Sequence, residues 1–249
     1  MRMFFVWFIL TSLSYAMENG QDNISILETS LVAHIIKIEG KAKVLSKSSI
    51  KKHKAKQGEA LFKGDKLITY KQSKALVELE DGSHIILNEG AELTFVDKMT
   101  VKHEMREAYY KIKKRQSTQG FTVKTPFSIM GIKGTEFIVD TRGSGLVSLK
   151  EGRIGIKSWN AEFELHKSKL MADYEKFKNE QTSAFEAYKA EFTGKTVSYV
   201  KAFDLEAGKT LYFSDADNCK VSCESQVNEE TISEDFRERF KMYKNMLEE

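Results

Sequence analysis

Residues 125–140 read TPFSIMGIKGTEFIVD. The stretch holds the chain's single proline, Pro126, then Gly131 and Gly134, and then a β-prone run. A phosphate-cradling P-loop needs G-x-x-x-x-G-K-[ST] between a strand and a helix. Gly131-Ile-Lys-Gly134-Thr135 lacks that spacing, and a strand-like run follows it. Pro126 suits a strand start or edge. Gly131 and Gly134 permit a bulge or a close backbone approach, and Thr135 can bond locally through its hydroxyl. Phe137 and Val139 then alternate toward a core. The stretch reads as the frame of a β fold, with no chemistry of its own.

The same texture extends on both sides. Upstream, residues 31–45 read as a strand, a turn at Glu39-Gly40 and a second strand. Gly64-Asp65 turns between apolar positions. Ala75, Val77 and Leu79 alternate up to Asp81-Gly82, a strong hairpin turn, and Ile85 and Leu87 continue beyond it. Asn88-Glu89-Gly90 turns again into Leu93 and Phe95. Downstream, residues 146–157 turn at Glu151-Gly152, and residues 197–213 turn at Ala207-Gly208. Regular short strands with such punctuation predict an antiparallel β-sandwich, a barrel or a short β-solenoid. The period changes at about 164–193, which lacks proline and, before Gly194, glycine. Leu170, Tyr174, Phe177, Ala184 and Tyr188 recur there at helical spacing, predicting a long helical insertion. Thr231, with Glu234 three residues on, opens a second predicted helix as a capping box. Ile232, Phe236, Phe240, Tyr243 and Leu247 give that helix an apolar stripe.

The first sixteen residues, MRMFFVWFILTSLSYA, combine Arg2, a short apolar run and small residues ending at Ala16. They read as a signal peptide, with an uncleaved N-terminal anchor as the alternative. The mature chain is expected to be exported to the periplasm and to begin with a polar leader, 17–30. Cys219 and Cys223, the only cysteines, form a local disulfide in an oxidising compartment. A lone C-x3-C without a nearby His is poor metal spacing. The 249 residues carry a net charge of +3, far from the strongly basic balance of a dedicated nucleic-acid binder.

The order of signals resembles the FecR domain family, the periplasmic module of bacterial surface-signalling regulators. Gly64-Asp65 with Thr69, Asp81-Gly82-Ser83, Thr125-Pro126 and Gly134-Thr135-x-Phe137 carry the resemblance, which runs from about Ile35 to Phe213. It implies a β domain over 31–213; the helical insertion read above departs from the family, which usually has a short turn in that last hairpin. A disulfide loop and a C-terminal helix, 214–249, follow. The chain departs from the family's pattern in several places. Lys133 stands where an arginine is common, REAYYKIKK (106–114) lacks the expected glycine, and a signal peptide replaces the cytoplasmic segment and membrane helix of the best-known members. Direct anti-sigma control is therefore not what the resemblance implies for this chain.

Catalytic signals are thin. The five histidines form no H-x-H or HExxH pattern, and no G-x-S-x-G occurs. No catalytic residue, cofactor or metal site is assigned. Two basic clusters stand out: Lys47, Lys51, Lys52, His53, Lys54 and Lys56 in one loop, and Lys111, Lys113, Lys114 and Arg115 in a second. They read as solvated loops and lysine-protected strand edges, or as contacts for anionic cell-wall polymers or lipid head groups. The expected role is a non-enzymatic binding or scaffolding module of the cell envelope, sensory in character, with an envelope protein as partner. An anionic-polymer binder is the alternative and an envelope hydrolase the third.

Overall fold

The computed structural model describes residues 30–114, 120–168, 195–215 and 223–248. The signal segment, residues 17–29, Arg115, positions 169–194 of the expected helical insertion and Cys219 lie outside them. In chain order the strands are β1 (Leu31–Glu39), β2 (Ala42–Leu45), β3 (His53–Lys54), β4 (Ala60–Phe62), β5 (Lys66–Thr69), β6 (Lys74–Leu79) and β7 (His84–Leu87). There follow β8 (Glu92–Asp97), β9 (Thr100–Met105), β10 (Glu107–Ile112), β11 (Phe121–Lys124), β12 (Ile129–Ile132), β13 (Thr135–Asp140) and β14 (Leu146–Glu151). The last are β15 (Arg153–Lys157), β16 (Phe163–Ser168), β17 (Lys195–Val200), β18 (Ala202–Glu206), β19 (Lys209–Ser214) and β20 (Ser225–Thr231), before helix α1 (Glu234–Glu248).

These strands form two sheets. The larger runs β17-β16-β20-β19-β14-β13-β10-β7-β6-β1-β4, and the smaller β18-β15-β12-β11-β9-β8-β5-β2-β3. One shared core fills the space between them. Ile35, Val77, Ile85, Tyr110, Phe137 and Val147 come from the larger sheet, and Val44, Leu67, Leu93, Val123, Ile132 and Ile154 from the smaller. The architecture is a β-sandwich, with sheets that are mixed where purely antiparallel ones were expected. β9 pairs in parallel with β11, and β16 with β20. The reason at β9 and β11 is topological: β10 crosses to the other sheet between them, so the chain returns in the same direction.

Most turns read from the sequence are crossings between the sheets. The corner residues Gly40, Gly64, Gly90, Gly134, Gly152 and Gly208 all have positive φ. Glycine visits that region without the Cβ clash other residues meet. Two corners place a residue other than glycine at positive φ: Gln72 (φ 52°) carries β5 to β6, and Arg106 (φ 64°) carries β9 to β10. The Asp81-Gly82 turn differs, joining β6 and β7 within one sheet, with Glu78 opposite His84.

Three expectations are corrected. Residues 164–168, placed at the start of the helical insertion, belong to β16. Phe163 and Leu165 point into the core, and β16 pairs with β17 across the insertion, so sheet pairing overrides the helical texture. Ser225–Thr231, expected within a loop, is β20, a strand whose polar outer positions hide its pattern. Thr231 ends that strand, so it does not cap the helix. The cap is Ser233, whose carbonyl accepts from Arg237 N (3.2 Å) and whose hydroxyl faces Phe236 N (3.5 Å).

Helix α1 lies on the outer face of the larger sheet. Phe236, Phe240, Tyr243 and Met246 are buried against Leu76, Ile86, Tyr109 and Ile138, with Leu146, Ile232 and Leu247 at the margin. Its fifteen residues make a rod of roughly 22 Å. The five strands β6, β7, β10, β13 and β14 span about 19 Å, so one short helix crosses them all.

Candidate functional site

Side chains alternate across a strand, so every second residue of β10 shares one face. Glu107, Tyr109 and Lys111 point outward on the larger sheet, and Ala108, Tyr110 and Ile112 point into the core. Register carries this alternation sideways. Tyr109 stands opposite Ile86 and Ile138, Glu107 opposite Asp140, and Lys111 opposite His84 and Glu136. The outer face is therefore three rows: an acid row, an apolar row under α1, and a mixed charged row of Glu78, His84, Lys111, Glu136 and Glu151.

The acid row is closed by long-range partners. Glu107 is 4% exposed. Its carboxylate accepts from Arg239 Nη1 (2.7 Å), Asn88 Nδ2 (3.2 Å) and the Tyr243 hydroxyl, and Arg142 Nη2 approaches to 3.6 Å. Asp140 accepts from Arg142 Nε (2.6 Å) and Arg142 N (2.9 Å). Burial opposes the Arg239 charge, but Glu107 and Asp235 outweigh it and hold its pKa above the usual value. Burial, then the Glu107 carboxylate, pushes the Tyr243 hydroxyl well up. Beside this network a cavity of about 340 Å³ opens, lined by Glu39, Lys74, Asn88, Arg106, Glu107 and Arg142.

Beyond this charged row lies the Gly134 corner. A cleft of about 590 Å³ opens there, lined by Lys111, Lys113, Lys114, Lys133, Thr135 and Arg153 among others. Gly134 has φ 116°, and a Cβ built on it would lie 2.6 Å from Lys114 Cα. The close approach seats Lys114 beside Lys133. A third concavity, of about 670 Å³, adjoins Thr125 and Pro126. Trp159, 42% exposed, donates its indole N–H to the Thr125 carbonyl (3.0 Å). The Glu224 carboxylate accepts the backbone N–H groups of Trp159, Asn160 and Ala161 beside it.

The residues carrying the resemblance sit at corners and turns. Asp65 is buried and accepts from Lys47 N (3.1 Å) and Phe62 N (3.0 Å), tying both sides of the Gly64 corner. Thr69 bonds to Asn88 O and accepts from Ala91 N (2.9 Å). Asp81 accepts from Ser83 N and Oγ (both 2.9 Å) next to Gly82, and Lys113 N donates to Ser83 Oγ (3.0 Å). Thr125 Oγ1 accepts from Ser128 N (2.9 Å), closing the turn around the exposed Pro126. Thr135 is buried, and Phe137 stacks on Tyr110 (4.7 Å, 6°) in the core.

The two basic clusters are separate. Lys51, Lys52, Lys54 and Lys56 are exposed around β3, the edge strand of the smaller sheet. Lys111, Lys113 and Lys114 line the cleft at the Gly134 corner together with Lys133, which the sequence reading did not place in this cluster, while Arg115 lies outside the described residues. Cys223 is buried; its expected partner Cys219 is likewise outside. The acid network also escaped the sequence. The alternation in EAYYKIKK was its one visible trace, because Arg239 and Tyr243 lie 132 and 136 residues from Glu107.

Histidine chemistry is structural where it is buried. His103 is enclosed by the core, with Nε2 at 2.9 Å from Arg106 O and Nδ1 at 3.0 Å from the Tyr110 hydroxyl. Burial lowers its pKa to about 4, so it stays neutral. Among the described residues no group of His, Cys, Asp and Glu is arranged to hold a metal ion, and no helix is long and apolar enough to cross a membrane.

A family model described as FecR protein matches residues 65–155. The match runs from the Asp65 corner through the signature stretch to Gly155 in β15, so the resemblance is shown over these central strands. No curated protein matches. Two crystal structures of a candidate anti-sigma factor from Parabacteroides distasonis ATCC 8503, at 1.65 and 2.50 Å resolution, are similar in part. Identity is 11% and 12%, TM-scores are 0.44 and 0.43, and each alignment covers 67% of this chain. The chain spans 59% of the length of each.

Proposed function

We propose that this protein is an exported, non-enzymatic FecR-type module of the bacterial envelope that binds a protein partner and serves a sensory role. The observation that carries the reading is the FecR match over 65–155, the same strands that α1 braces. The chemistry of the buried polar groups supports a scaffold. Glu107, Asp140 and His103 each spend their bonding capacity on internal partners, so they hold the fold together and do not stand ready to turn over a substrate.

The test is crosslinking of the full chain in a bacterial envelope, with the recovered chain's N-terminus read by mass spectrometry. We expect a start at Met17 and one specifically captured envelope protein. Recovery of the chain only from the cytosol, or capture of nothing specific, overturns the reading. Turnover of an envelope substrate in a hydrolase screen overturns its non-enzymatic part.

A further inference from the structure

From the Gly134 corner we infer that this protein has a binding site for a phosphate-type anion, formed by Lys111, Lys114 and Lys133. The inference is independent of the protein partner proposed above. Three observations carry it. First, among the described residues none of these three lysines makes an ion pair, although the cleft also holds Glu136 and Glu151. Glu136 is taken by Lys150 (2.7 Å), and Arg153, in the same wall, is taken by Glu206 (2.7 Å) and Asp204 (3.8 Å). Three lysines therefore face one uncommitted carboxylate.

Second, the convergence is built by the backbone. The close approach of Gly134 to Lys114 Cα fixes Lys114 beside Lys133, while Lys113 is tied through its N–H to Ser83 Oγ and leans over Gly82 on the other side of β10. Sheet register sets Lys111 opposite His84 and Glu136. Like charges gathered this way repel, and a bound anion relieves that cost. Burial lowers the pKa of His84; Glu78 opposes this, and Lys113 and Lys111 lower it further, so the lysines already act on a neighbour. Third, the Thr135 hydroxyl in the wall of this cleft is buried and meets no partner among the described residues.

The chemistry points to phosphate more than to a lone carboxylate. Lysine acts as a point charge toward phosphate, and a doubly charged phosphate with several acceptor oxygens engages more than one ammonium group at once, while the one arginine here is already paired. The cleft volume leaves room for a phosphate carried on a larger group.

The experiment uses the full mature chain and two probes at low salt. Pyrophosphate is titrated by calorimetry, and phosphatidylcholine vesicles with and without phosphatidic acid are tested by flotation. The triple variant K111Q/K114Q/K133Q is compared with K51Q/K52Q/K54Q, which removes equal charge at the β3 edge, and circular dichroism checks that both are folded. We expect the first variant to lose about tenfold in affinity and the second less than about twofold. Binding of pyrophosphate alone identifies a soluble phosphate as the ligand, and binding only to phosphatidic acid vesicles identifies a lipid head group. Absence of binding to both probes, no loss in K111Q/K114Q/K133Q, or equal losses in the two variants overturns the inference.

Discussion

Glu107 and Lys111 stand on the same face of the same strand, on opposite sides of Tyr109, yet their surroundings are opposite. Glu107 is buried and bonded by three side chains, Arg239 and Tyr243 from α1 and Asn88 from the turn after β7. Lys111 is exposed and makes no ion pair among the described residues. The helix produces the difference. Its apolar stripe covers the middle row, and Arg239 and Tyr243 reach the acid row. No side chain of α1 lines the cleft at the other end of β10. One end of the strand is closed for stability, and the other is left open for solvent or a ligand.

The comparison breaks first at Glu107. Glu107→Ala leaves Arg239, Arg142 and the Tyr243 hydroxyl without their shared acceptor. We expect a loss of about 3 kcal/mol in urea unfolding, the cost typical of breaking a hydrogen-bonded buried ion network. A loss below about 1 kcal/mol would show that α1 is held by its apolar stripe alone.

The core supplies the next effect. His103 has its folded pKa lowered to about 4 by burial, while an unfolded histidine titrates near 6.5. The unfolded chain therefore gains its proton first as pH falls. Stability present above about pH 6.5 is lost on the way down to about pH 4, amounting to about 2 kcal/mol at pH 5. Unfolding midpoints measured from pH 7 to 5 check this, with His103→Gln flattening the dependence. An unchanged slope in that variant would place the acid sensitivity elsewhere.

The smallest effect belongs to the open row. Lys111→Gln is expected to change stability by less than about 0.5 kcal/mol, since an exposed unpaired lysine contributes little. It should raise the pKa of His84, which Lys111 helps to depress. Titration of the His84 ring resonances by NMR reads this directly, and a downward shift would mean that Lys111 does not face that histidine.

Much of the sandwich was legible because its signals are local. Gly64-Asp65, Asp81-Gly82 and Thr125-Pro126 mark turns, and the stripe of Phe236, Phe240 and Tyr243 marks the helix face. The turns did not reveal their kind. Gly40 and Gly82 look alike in sequence, yet one crosses between sheets and the other closes a hairpin. That choice depends on which strands pair, a decision made across the chain. Gln72 and Arg106 carried no signal for positive φ, because their corners are fixed by the strands on either side. β16 was misread because residues 164–168 run without Gly or Pro into the helical spacing that begins at Leu170, and only its pairing with β17 and β20 identifies it. The acid network joins residues more than a hundred positions apart, a distance at which pattern reading has no handle.

The helix also has a mechanical consequence. A sheet pulled apart across its strands yields one ladder of hydrogen bonds at a time, beginning at an edge. Helix α1 lies across β6, β7, β10, β13 and β14 like a batten across planks. Tearing that begins at β4 or at β17 meets five strands that must part together. The matched stretch 65–155 includes all five, so the sandwich can fray at both ends while the strands beneath the batten keep their spacing.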